Sequence, residues 1–384
     1  MTRVVPDADV CVLLTPRAIG GHEVALLGWL GDAIALNGGA LRPVIVAPNE
    51  ELRTAAAKLG APLWSPWPTG QDSPLALSAA STTTQRWRLL HVLQRWPKGR
   101  PLLLAPGVLH ADAWLLAAAL GMGHRVWVYV PMTHTAAHMG FRYAGLRDLS
   151  LAPWLGKVAA WITLDAHQAG QLRQAWRVTA PVHILPNRAR LDGPNPNWPQ
   201  PTDDGRLRVV FVGRFDAWQK GLDWLIGLLQ QDPWWTRHCS WLFQGRGPAG
   251  GALAALATQM GVGQVSVHAQ APIDRALVSS DVLLLTSRFE GVPLVALEAT
   301  ARGWPVVATH GCGMDSWLPA SSLFQFGDAT GLRHVLEGLS ALGARRHAVA
   351  AARTSLARQS TQAHYESSLH DLCAALRAAS ASAI

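Results

Sequence analysis

Two glutamates, Glu290 and Glu298, stand in "RFEGVPLVALEATARGWPVVAT" (288–309), a stretch otherwise composed like buried core. A carboxylate beside a packed interior is costly unless a partner meets it. The preceding "DVLLLTS" (281–287) reads as a strand, so Arg288 to Val292 form the loop at its carboxyl end. Pro293 suits the first turn of a helix, where a missing N–H costs nothing. Gly303, with Pro305 beyond it, marks the end of that helix near Arg302. Glu290 therefore falls in the loop and Glu298 in the second helical turn. The helix N-terminus, entered through Gly291, Val292, Pro293 and Leu294, is a ready anion site, and a carboxylate accepts hydrogen bonds from sugar hydroxyls.

The complement lies upstream in "VVFVGRFDAWQKGLDWLIGLL" (209–229). A strand ends at Gly213, Arg214 stands at its tip, and Lys220 follows six residues later before a helix. An arginine fork and a lysine point charge at a strand-to-helix junction suit a diphosphate. "WLFQGRGP" (241–248) is a strand running into a Gly-x-Gly turn at Gly245, where the backbone can approach a ligand closely. Together these residues describe a pocket for a molecule carrying both phosphate and sugar.

The elements that hold these residues alternate. In the first half "VCVLLTP" (10–16), "RPVIVAP" (42–48), "PLLLAPG" (101–107), "HRVWVYVPM" (124–132), "AAWITLDAH" (159–167) and "PVHILPN" (181–187) read as strands. "HEVALLGWLGDAIAL" (22–36) and "ADAWLLAAAL" (111–120) read as helices. Near-continuous apolar runs separated by helices signal a parallel sheet covered on both faces. A polar interval with four prolines, "LDGPNPNWPQPTDDG" (191–205), interrupts the pattern and reads as a linker. The alternation then restarts with "LRVVFVGR", "CSWLFQG", "VSVHAQ", "DVLLLTS" and "PVVATHG", and "TQAHYESSLHDLCAALRAAS" (361–380) closes the chain as a helix. The expected architecture is α/β: two doubly wound, Rossmann-like domains facing a cleft, residues 1–190 and 206–360, with 361–384 as a terminal helix. Ligands in such sheets bind beyond the carboxyl ends of the strands, where each motif above falls.

"GRF…KG", "GRGP" and "EGVPLVALEA…G.PVVAT", in this order and at these intervals, resemble the nucleotide-sugar half of retaining glycosyltransferases of the GT-B fold, family four. "IGGHEVALLGWL" resembles that family's glycine-rich acceptor-side loop, and "PMTHTAAHMGF" the segment carrying its active-site histidine. The resemblance implies that Arg214 and Lys220 hold the diphosphate, Glu290 the donor-sugar hydroxyls and Glu298 the ribose, with backbone N–H groups around Val292 and Leu294 on the phosphate. It places His134 beside the reacting carbon, Gly20 and Gly21 opposite, and the terminal helix back on the first domain. The donor would be a nucleoside diphosphate sugar, UDP favoured over GDP, with no metal. Pro293 departs from a frequent glycine of the family and removes one amide donor. "LPNRARLD" (185–192) replaces a common Asn-Gly-Val-Asp.

Plainer readings stand beside these. Glu298 also stands one turn from Arg302, where an ordinary ion pair is the plainer role, Arg214 suits a solvated strand end, and His138 and His124 compete with His134. Asp7 and Asp9 precede the first strand and read as solvated, without a metal role. The same fold also serves epimerases, hydrolases and non-catalytic scaffolds.

Bulk properties set the partners. The 384 residues, 49 % apolar and 15 % charged, suit two packed domains. The four cysteines are scattered, which fits a reducing cytosol. The net charge of +8 is carried wholly by residues 1–190, with 18 Lys+Arg against 10 Asp+Glu. Nothing marks a nucleic-acid binder. That excess supports an anionic or membrane-attached carbohydrate acceptor. "RWRLLHVLQRWPKGR" (86–100), with five basic residues and two tryptophans on one expected helix, reads either as a face that grips anionic lipid or as an ordinary helix covering the first sheet with its tryptophans packed inward. The expected location is the cytoplasm, with peripheral contact at the inner face of an anionic membrane.

Overall fold

The computed structural model describes residues 5–15, 20–36, 41–47, 50–66, 82–188, 204–359 and 361–382. Most of the proline-rich interval 191–205 lies outside the described residues. The chain divides into two compact units, Met1–Asn187 with Gln362–Ile384, and Arg188–Thr361.

The first unit is built on β1 (Val10–Leu13), β2 (Pro43–Val46), β3 (Leu102–Leu104), β4 (Val126–Tyr129), β5 (Ala160–Thr163) and β6 (Val182–Ile184). They form one parallel sheet in the order β2-β1-β3-β4-β5-β6. The strands β1 to β5 are buried along their whole length, which is why they read as unbroken apolar runs. The helices are α1 (Gly21–Ala35), α2 (Glu50–Ala57), α3 (Thr82–Arg95), α4 (Ala113–Gly121), α5 (Ala144–Leu155) and α6 (Ala166–Gln174). Leu89, Val92 and Leu93 of α3, Leu115 and Leu116 of α4, and Leu151 and Leu155 of α5 share one core with the sheet. The expected helix over 86–100 stops at Arg95, because Pro97 has no N–H to continue it.

The second unit repeats the plan. Its strands β7 (Leu207–Arg214), β8 (Cys239–Arg246), β9 (Val265–His268), β10 (Val282–Leu285), β11 (Val306–Thr309) and β12 (Leu323–Phe324) run parallel in the order β12-β11-β10-β7-β8-β9. Around them lie α7 (Leu222–Gln231), α8 (Trp234–His238), α9 (Gly250–Met260), α10 (Ile273–Leu277), α11 (Leu294–Arg302), α12 (Ala329–Gly338) and α13 (Leu342–Gln359). Asp281, just before β10, ties the base of this unit. Its carboxylate accepts from the Arg208 N–H and guanidinium at 2.9 to 3.0 Å and pairs with Arg345. Burial alone would raise that carboxyl, but the two arginines hold it below its usual value.

The last helix, α14 (Gln362–Ala381), belongs to the first unit. Tyr365, Leu369, Leu372, Cys373, Leu376 and Ala379 form its buried stripe. The Tyr365 hydroxyl donates to Asp32 at 2.7 Å, and the Arg125 guanidinium to the Ala379 carbonyl at 2.8 Å. Among the described residues no helix is long and apolar enough to cross a membrane. All four cysteines are buried thiols.

Candidate active site

In a doubly wound sheet the crevice opens where the strand order reverses. In the second unit that point lies between β7 and β10. Lys220 follows β7 and Glu290 follows β10, and the two form an ion pair there, their side chains only 14 % and 10 % exposed. Ser287 Oγ donates to the same Glu290 oxygen at 2.9 Å. The loops carrying them are stitched together: Thr286 Oγ1 donates to the Lys220 carbonyl at 2.8 Å and the Arg288 N–H to the Gln219 carbonyl at 2.9 Å. Gly221 makes this fit possible. It has φ +65°, and a Cβ there would run into the Thr286 carbonyl and stand 2.8 Å from the Phe326 ring.

Arg214 ends β7 with a side chain 62 % exposed, donating to Gln219 Oε1 at 2.7 Å. Arg246 stands in register beside it at the tip of β8, and Gly213 pairs with Gly245 one position back. Nothing local in the sequence marks Arg246, because only the pairing register places it next to Arg214. Arg288, also unassigned before, is held by Asp223 through two bonds of 2.7 and 2.8 Å and lies 3.9 Å from the Trp218 ring. The helix α11 begins at Leu294 with Pro293 as its cap residue, and ends at Gly303 in the left-handed region. The loop holding Gly291 and Val292 is approached from behind by Gly313. At φ +79°, a Cβ on Gly313 would collide with the Gly291 carbonyl. Glu298 is half-buried on α11. The Arg302 guanidinium goes to Asp274 and reaches only the backbone carbonyl of Glu298, at 3.3 Å.

The first unit reverses between β1 and β3. Here the Thr15 hydroxyl bonds the Asp112 carboxylate, joining residues 97 apart in sequence. Burial raises the Asp112 carboxyl above its usual value, and the Thr15 bond offsets only part of that. Gly20 caps α1 and its N–H donates to Glu23 at 2.7 Å, with Gly21 as the first helical residue. His22 Nε2 donates to the Ala105 carbonyl at 2.9 Å, and its ring stacks on Tyr129 with centroids 5.2 Å apart. Burial pushes the His22 imidazole down, against the pull of Glu23. Glu23, His22 and Asp112 escaped the sequence reading, since their meeting depends on the β1-β3 pairing.

His134 follows β4 and is buried, its ring stacked on His138 with centroids 4.5 Å apart. The preceding Thr133 is clamped: its N–H and hydroxyl donate to Gln168 Oε1 at 2.9 and 2.7 Å, and the Trp176 indole donates to its carbonyl at 2.7 Å. His124 is different. It precedes β4 and donates to the Leu93 carbonyl at 2.7 Å, a structural role at the opposite end of the strand. Asp7 and Asp9 bind Arg42, the residue just before β2, at 2.8 and 3.0 Å; Asp7 is exposed as the sequence suggests, whereas Asp9 is buried rather than solvated. Among the described residues no group of three His, Cys, Asp or Glu is placed to hold a metal ion.

Two six-stranded parallel sheets with these switch-point sites define a GT-B glycosyltransferase fold. Residues 206–334, within the second unit, match the model of the family Glycosyl transferases group 1. HepE of Anabaena, solved with UDP and glucose, superposes with a TM-score of 0.68 over 96 % of this chain and 99 % of its own, at 13 % identity. Sucrose-phosphate synthase of Thermosynechococcus elongatus gives 0.69 over 96 % and 99 %, at 16 % identity. TarM of S. aureus, solved with fondaparinux, α-GlcNAc-glycerol and UDP, gives 0.59 over 74 % and 59 %, at 13 % identity. No curated protein matches the chain in sequence.

Proposed function

We propose that this protein is a retaining, metal-independent glycosyltransferase. It moves a hexosyl group from a nucleoside diphosphate sugar, UDP favoured over GDP, to a hydroxyl of a carbohydrate or lipid-linked carbohydrate in polysaccharide biosynthesis. The observation that carries the reading is the Lys220–Glu290 pair at the second switch point, a cation for phosphate and an anion for hydroxyls in one place. HepE, a neighbour of the same fold, binds UDP and glucose.

In this reading the diphosphate takes Lys220 from Glu290. Glu290, still held by Ser287, turns its free acceptor capacity to the donor-sugar hydroxyls. Arg214 leaves Gln219 for the phosphates, the N-terminus of α11 adds its amides, and Glu298 receives the ribose. Charge developing on the leaving diphosphate meets preorganised cations, a contribution usually among the largest in catalysis. The acceptor hydroxyl attacks from the face that the diphosphate leaves, a leaving phosphate oxygen takes its proton, and the new bond keeps the donor's anomeric configuration. His134 lines the reacting carbon, and Gly20 and Gly21 the acceptor. The basic excess of the first half supports an anionic, membrane-attached acceptor reached at the cytoplasmic face.

The experiment is to incubate purified protein with radiolabelled UDP-hexoses and a membrane and polysaccharide extract from its host. The reading expects label in an acceptor product with the donor's anomeric configuration, undiminished by a chelator. Label released only as free sugar, at the same rate without extract, would show a hydrolase instead.

A further inference from the structure

Between Asp72 and Asp165 the sequence holds only two acids, Asp112 and Asp148. Both are drawn inward. Asp112 accepts from the Thr15 hydroxyl, and Asp148 from the His110 ring at 2.7 Å and the Ala136 N–H at 2.9 Å. The outer surface of the helices that this stretch builds therefore shows no carboxylate among the described residues.

The helix α5 uses that surface unusually. Its inner stripe is Ala144, Asp148, Leu151 and Leu155. Its outer stripe is Leu146, Leu149 and Pro153, and Arg142 and Lys157 flank the helix at either end, all exposed. Leu146 and Leu149 are 69 % and 70 % exposed, and Tyr143 beside them is 64 % exposed. Single exposed leucines need no explanation, but a contiguous apolar patch does. Each cation lies over an aromatic ring: Arg142 over Tyr143 at 4.9 Å, Arg147 over Phe141 at 5.2 Å and Lys157 over Trp154 at 4.9 Å. Next to it in the same layer, α4 and α3 add Trp114 under the Arg86 guanidinium and the part-exposed Trp87 and Leu90. An outer face that is apolar along its centre and cationic at its ends has the chemistry of a helix lying in a bilayer interface.

We infer that the outer face of α5 together with its flanking residues, 142–157, is the surface by which this protein docks on an anionic lipid bilayer. The inference rests on the proposed membrane-attached acceptor and changes where contact is made. The segment 86–100, whose composition first suggested a membrane surface, spends Arg88, Leu89, Val92, Leu93 and Trp96 on the interior. What it leaves outside is a flank, while α5 presents the centre. The leucines insert between headgroups, and the arginines and lysine meet lipid phosphates.

The test is sedimentation of the full chain with vesicles of phosphatidylglycerol and phosphatidylcholine, against vesicles of phosphatidylcholine alone, at low salt. The wild type is expected to sediment with the anionic vesicles only. Leu146→Ser/Leu149→Ser should lower partitioning tenfold or more, and Arg142→Gln/Arg147→Gln by about fivefold per cation removed. Stabilisation by UDP, read on the same samples, should stay at the wild-type value, which shows the variants folded. Wild-type sedimentation that survives the leucine substitutions would overturn the α5 assignment while leaving membrane attachment standing. No wild-type sedimentation, with UDP still bound, would overturn the docking surface and the membrane-attached acceptor together, but not the transferase. A wild-type dimer that the leucine substitutions make monomeric, without vesicle binding, would assign the patch to a second copy of this chain.

Discussion

The two switch points are built alike and charged differently. In the second unit a lysine and a glutamate meet across β7 and β10, with Arg214 and Arg246 side by side at the neighbouring strand tips. In the first, a threonine and an aspartate meet across β1 and β3, flanked by a glutamate and a largely buried histidine whose imidazole burial pushes down. Cations clustered over a helix N-terminus suit a diphosphate. Carboxylates, a hydroxyl and an imidazole suit the neutral hydroxyls of a sugar. On the proposed reading, one sheet plan, used twice, separates a site for the charged donor from a site for the acceptor, and the difference lies in a few residues after strand ends.

The sharpest way to break that contrast is at Lys220. Lys220→Ala should lower transfer about 10²–10³-fold, the usual loss for one preorganised donor to developing charge, and should abolish stabilisation by UDP. Glu290→Gln should split the two readouts. Transfer falls by a similar order, while UDP binds at least as tightly as to wild type, because Lys220 no longer has a competing anion. Steady-state kinetics with the UDP titration would separate them, and parallel loss of both would deny that the pair changes partners.

A backbone change comes next. Gly221→Ala forces a left-handed residue into a Thr286 carbonyl and should destabilise the second unit by about 1–3 kcal/mol, with UDP affinity falling alongside. Gly28→Ala, in the middle of α1 with nothing within 4 Å of the added carbon, should stabilise the first unit by about 0.5–1 kcal/mol. Thermal unfolding of the pair shows whether the glycine at the donor site is there for fit.

The first unit carries the smaller effects. Asp112→Asn should raise the KM for acceptor about tenfold, the scale of one hydrogen bond to a charged group, and leave UDP binding alone. Its pH dependence follows from His22. Because burial lowers this imidazole, protonation favours the unfolded chain, so stability is lost as pH falls below the usual histidine value of about 6.5. Asp112 works the other way. Its raised carboxyl makes the folded state the better proton binder, so its cost is full above that raised value and fades as pH drops toward the usual carboxylate range. Melting of His22→Gln between pH 7 and pH 5 should be flatter than that of wild type.

The second unit's site was more legible in the sequence than the first unit's, for a physical reason. Glu290, Pro293, Glu298 and Gly303 sit within one loop and helix, where capping and turn chemistry act over a few residues, and α11 begins and ends where those residues say. Eleven of the twelve described strands fall on segments of six to nine residues that read as strands, although β6 and β9 are only partly buried; β12, two residues long, has no pattern to read. The meeting of Thr15 with Asp112 depends on strand pairing, which no local pattern encodes. Gly313 is equally silent, since its need for glycine is set by Gly291 of another loop. The outer face of α5 was missed because its apolar residues point both ways, blurring the period that marks a helix.

On the proposed reading, the Lys220–Glu290 switch point holds a nucleoside diphosphate without metal. Isothermal titration of the full chain with UDP and with GDP, each in the presence of a chelator, tests it most directly. Binding of UDP that is lost in Lys220→Ala and kept in Asp112→Asn is the predicted result. Absence of binding by either nucleotide until a divalent cation is added, or binding indifferent to Lys220, would contradict it.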